Sequence, residues 1–137
     1  MMYEEMIQEP IRRSIQILDD YKGPYKVTML MNTAYIVYGK IVEKCLEKYQ
    51  SKIYDLIMKY GIVRSPIYDD QKAIVKALRN GIMHFDINFY TYGLNKNIDI
   101  IDEVTFSDYI VGSKEKSHIA FSIDSFNEFI HDIGELL

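Results

Sequence analysis

The feature that most constrains the fold is a long apolar segment, YKVTMLMNTAYIVYGKIV, at residues 25–42. The segment is apolar nearly all round, a pattern typical of a helix buried among others. Asn32, Thr33 and Lys40 interrupt it, so it falls short of the roughly 18–20 uninterrupted apolar residues that a membrane span requires. The sequence therefore predicts a buried central helix from about Tyr25 to Tyr49, and no membrane partner.

Further helices are predicted on both sides of this central helix. The first has Pro10 in its first turn, preceded by a short helical turn, and carries on one face Ile11, Ile15 and Leu18. Gly23-Pro24 ends it. A third helix covers about residues 52–59 and ends at Gly61.

The last third of the chain combines strands with a closing helix. Residues 85–93 and 97–104 alternate apolar and polar side chains with a period of two, which predicts a β-hairpin, and a third short strand is expected at 118–122. Ser125 and Glu128 form a capping box that opens the last helix. The predicted fold class is mainly α: a helical bundle of four to five helices with a small β-hairpin insertion before the C-terminal helix.

Composition places this bundle in a single domain, residues 1–137, with 48% hydrophobic and 26% charged residues. Cys45 is the only cysteine, which rules out an internal disulfide and a zinc-type cysteine cluster and favours a reducing cytoplasm. The N-terminal residues contain acids and no apolar run, so no signal peptide is indicated. The net charge of −4 argues against high-affinity nonspecific nucleic-acid binding but leaves room for a local basic patch.

A fourth helix is predicted within YDDQKAIVKALRNGIMHF, residues 68–85, and it has two faces. At about 100° per residue, one sector holds the apolar side chains Ile74, Val75, Leu78, Ile82 and Phe85. A second sector holds Asn80 and His84 together with a row of small residues, Ala73, Ala77 and Gly81. Such a row lets a neighbouring helix approach closely, which would offset the cost of about 1 kcal/mol for glycine in a helix interior. A basic edge flanks this sector and consists of Lys72, Lys76 and Arg79.

Residues 79–84, RNGIMH, resemble the Arg-x-x-x-x-His signature of HEPN domains, in the version with Asn directly after Arg. The setting agrees, because the motif ends a late helix of a small bundle and another helix closes the chain. The residues alone leave an alternative open, since Asn-Gly often marks a helix C-terminus and a histidine there can cap the last carbonyls.

The resemblance implies a metal-independent ribonuclease that acts as a homodimer, with the motif helices of two protomers facing each other. Arg79, Asn80 and His84 are then the catalytic residues, and Lys72 and Lys76 bind the RNA substrate. The dimer interface is expected at the small residues of the same helix, Ala73, Ala77 and Gly81. No metal and no cofactor are expected, because the 2′-OH of RNA can attack the adjacent phosphorus with His84 moving the proton and Arg79 holding the phosphate.

The leading interpretation is an RNA-cleaving toxin or phage-defence effector, with an antitoxin or another defence-system protein as a further partner. The alternative is a noncatalytic HEPN-like module that binds RNA, a nucleotide or a protein; a plain helical dimerisation domain is a third. Some HEPN relatives paired with nucleotidyltransferase antitoxins carry Tyr two residues after the His, whereas here Phe85-Asp86 follows His84. His118 and His131 are interpreted as surface residues, and Tyr90 and Tyr92 are candidates for stacking bases.

Overall fold

The computed structural model describes residues 3–91 and 101–136, with the side chains of residues 3–7 and 40–46 left aside. The elements in chain order are α1 (Tyr3–Asp20), α2 (Lys26–Tyr60), β1 (Ile62–Arg64), α3 (Gln71–Met83), β2 (Ile87–Tyr90), β3 (Glu103–Tyr109), β4 (Lys116–Ser122) and α4 (Ile123–Gly134).

Helix α2 is the centre of the fold and packs against α1, α3 and α4. Its buried side chains include Leu30, Val37 and Tyr38, as the apolar segment predicts. The structure corrects the prediction of two separate helices here, because α2 continues without a break to Tyr60. No glycine or proline lies between residues 40 and 60 to end it. It ends at Gly61, whose N–H donates to the Ile57 carbonyl at 2.8 Å.

Helix α1 contains Pro10 in its interior, so the short turn predicted before the proline is part of one continuous helix. Ile11 and Leu18 of the predicted apolar face are buried against the bundle, and Ile15 packs on the same core.

The β part is a four-stranded antiparallel sheet in the order β1-β4-β3-β2, which is larger than the predicted hairpin. Strand β2 pairs with β3, with Ile87 opposite Phe106, and the expected hairpin pairing is present. The second predicted strand is shifted, since β3 begins at Glu103; the predicted part at 97–100 lies outside the described residues. The third predicted strand is present within β4, and β1, which pairs with β4, was not predicted.

One face of the sheet packs on the helices, and an aromatic cluster fills the contact: Phe106, Phe121, Phe126, Phe129 and Tyr38. The N-cap of helix α4 is Ser122, three residues before the predicted cap residue Ser125, because the Ser122 hydroxyl accepts the Ser125 N–H at 3.1 Å. The predicted mainly α fold is thus confirmed in part: the fold is helix-rich but mixed, and the expected hairpin insertion is part of a four-stranded sheet that covers the bundle. No helix in the described part of the chain is both long and apolar enough to cross a membrane.

Candidate functional site at the end of helix α3

Helix α3 is closed at both ends by specific hydrogen bonds. At its start the Asp70 carboxylate accepts the Ala73 N–H at 3.1 Å, an N-cap that satisfies one of the free backbone donors. At its end the Asp86 N–H donates to the Gly81 carbonyl at 3.0 Å and the Phe85 N–H to the Ile82 carbonyl at 3.4 Å. This pair of bonds is a Schellman motif. The predicted helix and its end near His84 are confirmed.

Phe85 occupies the left-handed position of that motif, with φ of 59°, although glycine is the usual residue there. It is the only described residue other than glycine with positive φ. Its side chain is 70% exposed, so it lies outside the apolar face on which the helix pattern placed it. The backbone therefore carries strain at the residue directly after His84.

Gly81 lies directly against strand β3. A Cβ atom added to Gly81 would be 3.0 Å from Phe106 Cβ and 3.1 Å from the backbone nitrogen and oxygen of Ser107. The close approach that the small-residue row predicts is present at Gly81, but the neighbour is a strand of the same chain and not a second helix. A side chain at position 81 would therefore require strand β3 to move by a few tenths of an ångström.

Arg79, Asn80 and Asp108 form a chain of side-chain hydrogen bonds. Arg79 Nη1 donates to Asn80 Oδ1 at 3.3 Å, and Asn80 Nδ2 donates to Asp108 Oδ2 at 3.0 Å. A guanidinium only donates and an ionised carboxylate only accepts, so the two partners fix the orientation of the amide. Asn80 thus connects Arg79 to strand β3, and its amide makes no described hydrogen bond to His84.

The Arg79 guanidinium is half-buried beside helix α2. Its Nε is buried without a hydrogen-bond partner among the described residues. The nearby Tyr38 hydroxyl is fully buried and donates to the Val75 carbonyl at 2.9 Å. Burial raises the pKa of Tyr38 well above its ordinary value, and the positive charge of Arg79 acts in the opposite direction. The phenol therefore stays neutral, and Arg79 has an unused donor.

A groove of about 270 Å³ runs beside these residues, between α3 and the turn that joins β3 to β4. Lys72, Lys76, Ala73 and Ala77 line its helix side together with Asn80, and Asp108 and Tyr109 line its strand side. Both lysines are exposed, and no ion pair to either is present in the described part of the chain. The structure thus brings five of the predicted site residues to one concave surface.

His84 lies at the end of α3, as its C-cap, with its side chain exposed. It is five positions after Arg79, which corresponds to about 140° around a helix, and no described hydrogen bond joins the two side chains. The adjacent Asp86 does not orient His84, because its carboxylate pairs with Lys116 Nζ at 2.6 Å. A single copy of the chain therefore presents Arg79 and His84 in different directions.

The sequence interpretation missed Asp108 and Tyr38. Alternation along β3 would have placed Asp108 on the face that carries Phe106 and Val104, but the predicted strand stopped at residue 104. Tyr38 was recognised only as part of the buried helix. The sequence predicts His118 and His131 as surface residues. His118 is exposed, as predicted, whereas His131 is half-buried between α4 and α1.

The chemistry that these residues offer is donation to an anion and proton transfer. Arg79, Lys72 and Lys76 supply positive charge, and the His84 imidazole is a group that can accept or donate a proton. Within residues 3–91 and 101–136, no group of three or more histidine, cysteine, aspartate or glutamate side chains is arranged to hold a metal ion.

Among known protein families, the model described as HEPN pEK499 p136 matches residues 1–137 of the chain. Neither a curated protein nor a solved structure matches the chain.

Proposed function

The chain belongs to the HEPN pEK499 p136 family, and from this premise we propose that it is a metal-independent endoribonuclease whose catalytic centre is shared between two copies. The observation that carries the proposal is the hydrogen-bonded chain from Arg79 through Asn80 to Asp108 beside an exposed His84. A half-buried guanidinium that is hydrogen-bonded to Asn80, a residue of the groove, is suited to bind a phosphate oxygen.

The proposed reaction is a transesterification within the RNA. His84 of one protomer takes the proton of a 2′-OH, whose oxygen attacks the adjacent phosphorus. The bond from phosphorus to the 5′-oxygen breaks, and His84 of the partner subunit protonates that oxygen. The products are a 2′,3′-cyclic phosphate and a free 5′-OH. Arg79 stabilises the extra negative charge that the phosphate carries in the transition state.

Two copies are needed because one copy directs Arg79 and His84 about 140° apart. Ala73 and Ala77 form a low floor in the groove, and we place the second motif helix against them. Gly81 does not contribute to this contact, because β3 already covers it. In this arrangement Lys72 and Lys76 line the path of the RNA backbone. The biological role that fits best is a toxin or phage-defence effector in the cytoplasm, controlled by an antitoxin or another defence-system protein.

One observation favours the alternative of a noncatalytic module that binds RNA, a nucleotide or a protein. The Asp108 carboxylate lies in the same groove, and a negative charge there weakens binding of a phosphate. The two functions differ in whether the bound RNA is cut.

Cleavage of a labelled single-stranded RNA by the purified chain, with EDTA present, tests the proposal. We expect cleavage that survives the chelator, follows a bell-shaped pH profile near neutrality and leaves cyclic phosphate ends. Arg79→Ala should lower the rate by about 10²–10³-fold and His84→Ala by about 10²–10⁴-fold. Arg79→Lys should also lose cleavage activity, since an ammonium group cannot donate two parallel hydrogen bonds to a phosphate as a guanidinium does.

Matched controls are Arg13→Ala and Lys52→Ala, exposed cations on α1 and α2 away from the groove. Both should cleave at the parent rate. The double variant of Arg79 and His84 should be little worse than either single variant, because the two act as one unit. A folded His84→Ala protein that cleaves as fast as the parent would exclude His84 as a catalytic residue, whereas a parent that binds the RNA without cutting it would favour the binding module.

A further inference from the structure

The face of the sheet that points away from the helices carries a row of polar side chains. Along β3, Val104, Phe106 and Asp108 face the helices, so Glu103, Thr105 and Ser107 face outward. On the neighbouring strands the outward positions include Arg64 of β1 and His118 of β4. This open face is across the sheet from the α3 groove.

Arg64, His118 and Ser107 are consecutive in one cross-strand row. Arg64 is directly opposite His118, and His118 is directly opposite Ser107. The buried Ser107 hydroxyl lies 2.7 Å from His118 Nδ1. When this hydroxyl donates to Nδ1, the proton of the neutral imidazole is on Nε2, which then becomes a hydrogen-bond donor. Ser107 thus holds the ring in one orientation.

The Arg64 guanidinium is a donor without a described partner, and so is His118 Nε2 when the Ser107 hydroxyl donates to Nδ1. Lys116, on the same face, is already engaged, since it pairs with Asp86 at 2.6 Å and lies over the Tyr109 ring at 4.7 Å. No hydrogen bond or ion pair to the Arg64 guanidinium is present in the described part of the chain. Two adjacent unused donors, one of them permanently charged, form a pair suited to bind an anion.

These donors are at one end of a cleft of about 360 Å³, within the usual range of small-molecule sites. Thr105 and Ala120 line its middle, and Tyr90 and Glu103, which are opposite each other in β2 and β3, line its far end. The carboxylate of Glu103 disfavours a phosphate at that end. An aromatic ring there offers a face for a base, and Thr105 can hydrogen-bond a sugar hydroxyl.

We infer that this cleft is a second binding site, for a phosphorylated nucleotide, with the phosphate on Arg64 and His118 and the base toward Tyr90. The nucleotide is either free or part of a single-stranded RNA. Because the site is on the opposite side of the sheet from α3, it does not depend on the ribonuclease activity.

Titration of the full chain, followed by NMR and calorimetry, tests this site. The probes are uridine 5′-monophosphate, uridine, inorganic phosphate and a short single-stranded RNA with 2′-O-methyl groups, which cannot undergo cleavage through its 2′-oxygen. We expect saturable binding of the monophosphate with shifts at His118. Uridine should bind at least tenfold more weakly. Binding of the RNA that is tighter than that of the monophosphate, is weakened in Arg64→Gln and is kept in Arg79→Ala identifies a strand as the ligand of this site; weaker binding of the RNA identifies a free nucleotide.

Arg64→Gln and His118→Gln should each weaken binding at least tenfold, and Thr105→Val should weaken it less. Tyr90→Leu should weaken binding of the monophosphate but not of inorganic phosphate. Arg13→Gln is the matched control and should bind as the parent does. The inference is overturned if no probe saturates, or if binding survives Arg64→Gln and is lost in Arg79→Ala, since the ligand would then occupy the α3 groove.

Discussion

At the scale of single residues, Asn80 organises the candidate site because its amide is bonded to Arg79 on one side and Asp108 on the other. We expect Asp108→Ala to lower kcat by about 10- to 100-fold, since misplaced groups of a catalytic centre cost rate on this scale. Asp108→Asn keeps an oxygen that accepts from Asn80, so its kcat should stay near that of the parent while KM falls.

Cleavage kinetics for the two variants separate these effects. The fall in KM in Asp108→Asn reports the repulsion between the carboxylate and RNA. An Asp108→Ala variant with unchanged kcat would show that the hydrogen bond to Asn80 does not position Arg79.

Phe85 provides a second prediction at this scale. Its left-handed φ of 59° is unfavourable for a residue with a Cβ, and its exposed ring contributes little to the core. Phe85→Gly should therefore raise the free energy of unfolding by up to about 1 kcal/mol, reduced by the greater freedom of glycine in the unfolded chain. Denaturant unfolding measures this difference.

Val111→Gly is the control for Phe85→Gly, because Val111 is 99% exposed and has no positive φ. It should not stabilise the protein. Equal destabilisation in both variants would mean that the Phe85 ring makes a stabilising contact that outweighs its backbone strain.

At the scale of elements, His131 joins α4 to α1. Burial favours its neutral form, but the Asn127 carbonyl, 2.7 Å from Nδ1, and the Asp19 carboxylate, 2.7 Å from Nε2, raise the pKa of His131 above its ordinary value, with Lys26 acting against them. The unfolded pKa is about 6.5. The stabilisation is therefore complete below that pH and is lost as the pH rises through the raised pKa of the folded state.

We expect the free energy of unfolding to fall over this pH range in the parent protein, and to fall less in His131→Gln and in Asp19→Asn. Unfolding curves at several pH values provide the measurement. Asp20→Asn changes a neighbouring exposed carboxylate that has no described bond to His131 and should keep the parent slope. If the free energy of unfolding of His131→Gln falls with pH as steeply as that of the parent, the pH dependence comes from other groups.

The elements also show what the sequence could predict and what it could not. The helices were predictable because a buried stripe repeats over many residues within one segment, as in α3 and α4. Strand β1 was not, because three residues are too few for a period and its pairing depends on β4, more than 50 residues later in the sequence. The RNGIMH motif can be recognised because its residues are consecutive in the sequence. Asp108 cannot be linked to it from the sequence, because it lies 28 residues after Asn80 in another strand.

At the scale of the whole molecule, a catalytic centre built from two copies makes an inactive copy inhibitory. With saturating RNA, adding a threefold excess of His84→Ala protein to a fixed amount of parent should lower cleavage about fourfold once subunits have exchanged, because only a quarter of parent protomers then pair with each other. The parent should be a dimer by light scattering at micromolar concentration.

The control combines His84→Ala with Ala73→Glu, which places a charge on the groove floor and should prevent pairing. Its excess should leave parent cleavage unchanged. If the parent is monomeric and its cleavage is not lowered by excess His84→Ala protein, then one copy of the chain contains a complete catalytic centre.

The pairing of β1 with β4 also determines when the sheet can assemble during synthesis of the chain. Strand β1 emerges from the ribosome before α3, yet its partner, with Ala120 opposite Ile62, emerges more than 50 residues later. Likewise, Asn80 can form its hydrogen bond to Asp108 only after Asp108 has been synthesised. A nascent chain that ends before these residues has the motif but not the strands that hold it in place. The assembly of the groove is thus delayed until β3 and β4 have been synthesised.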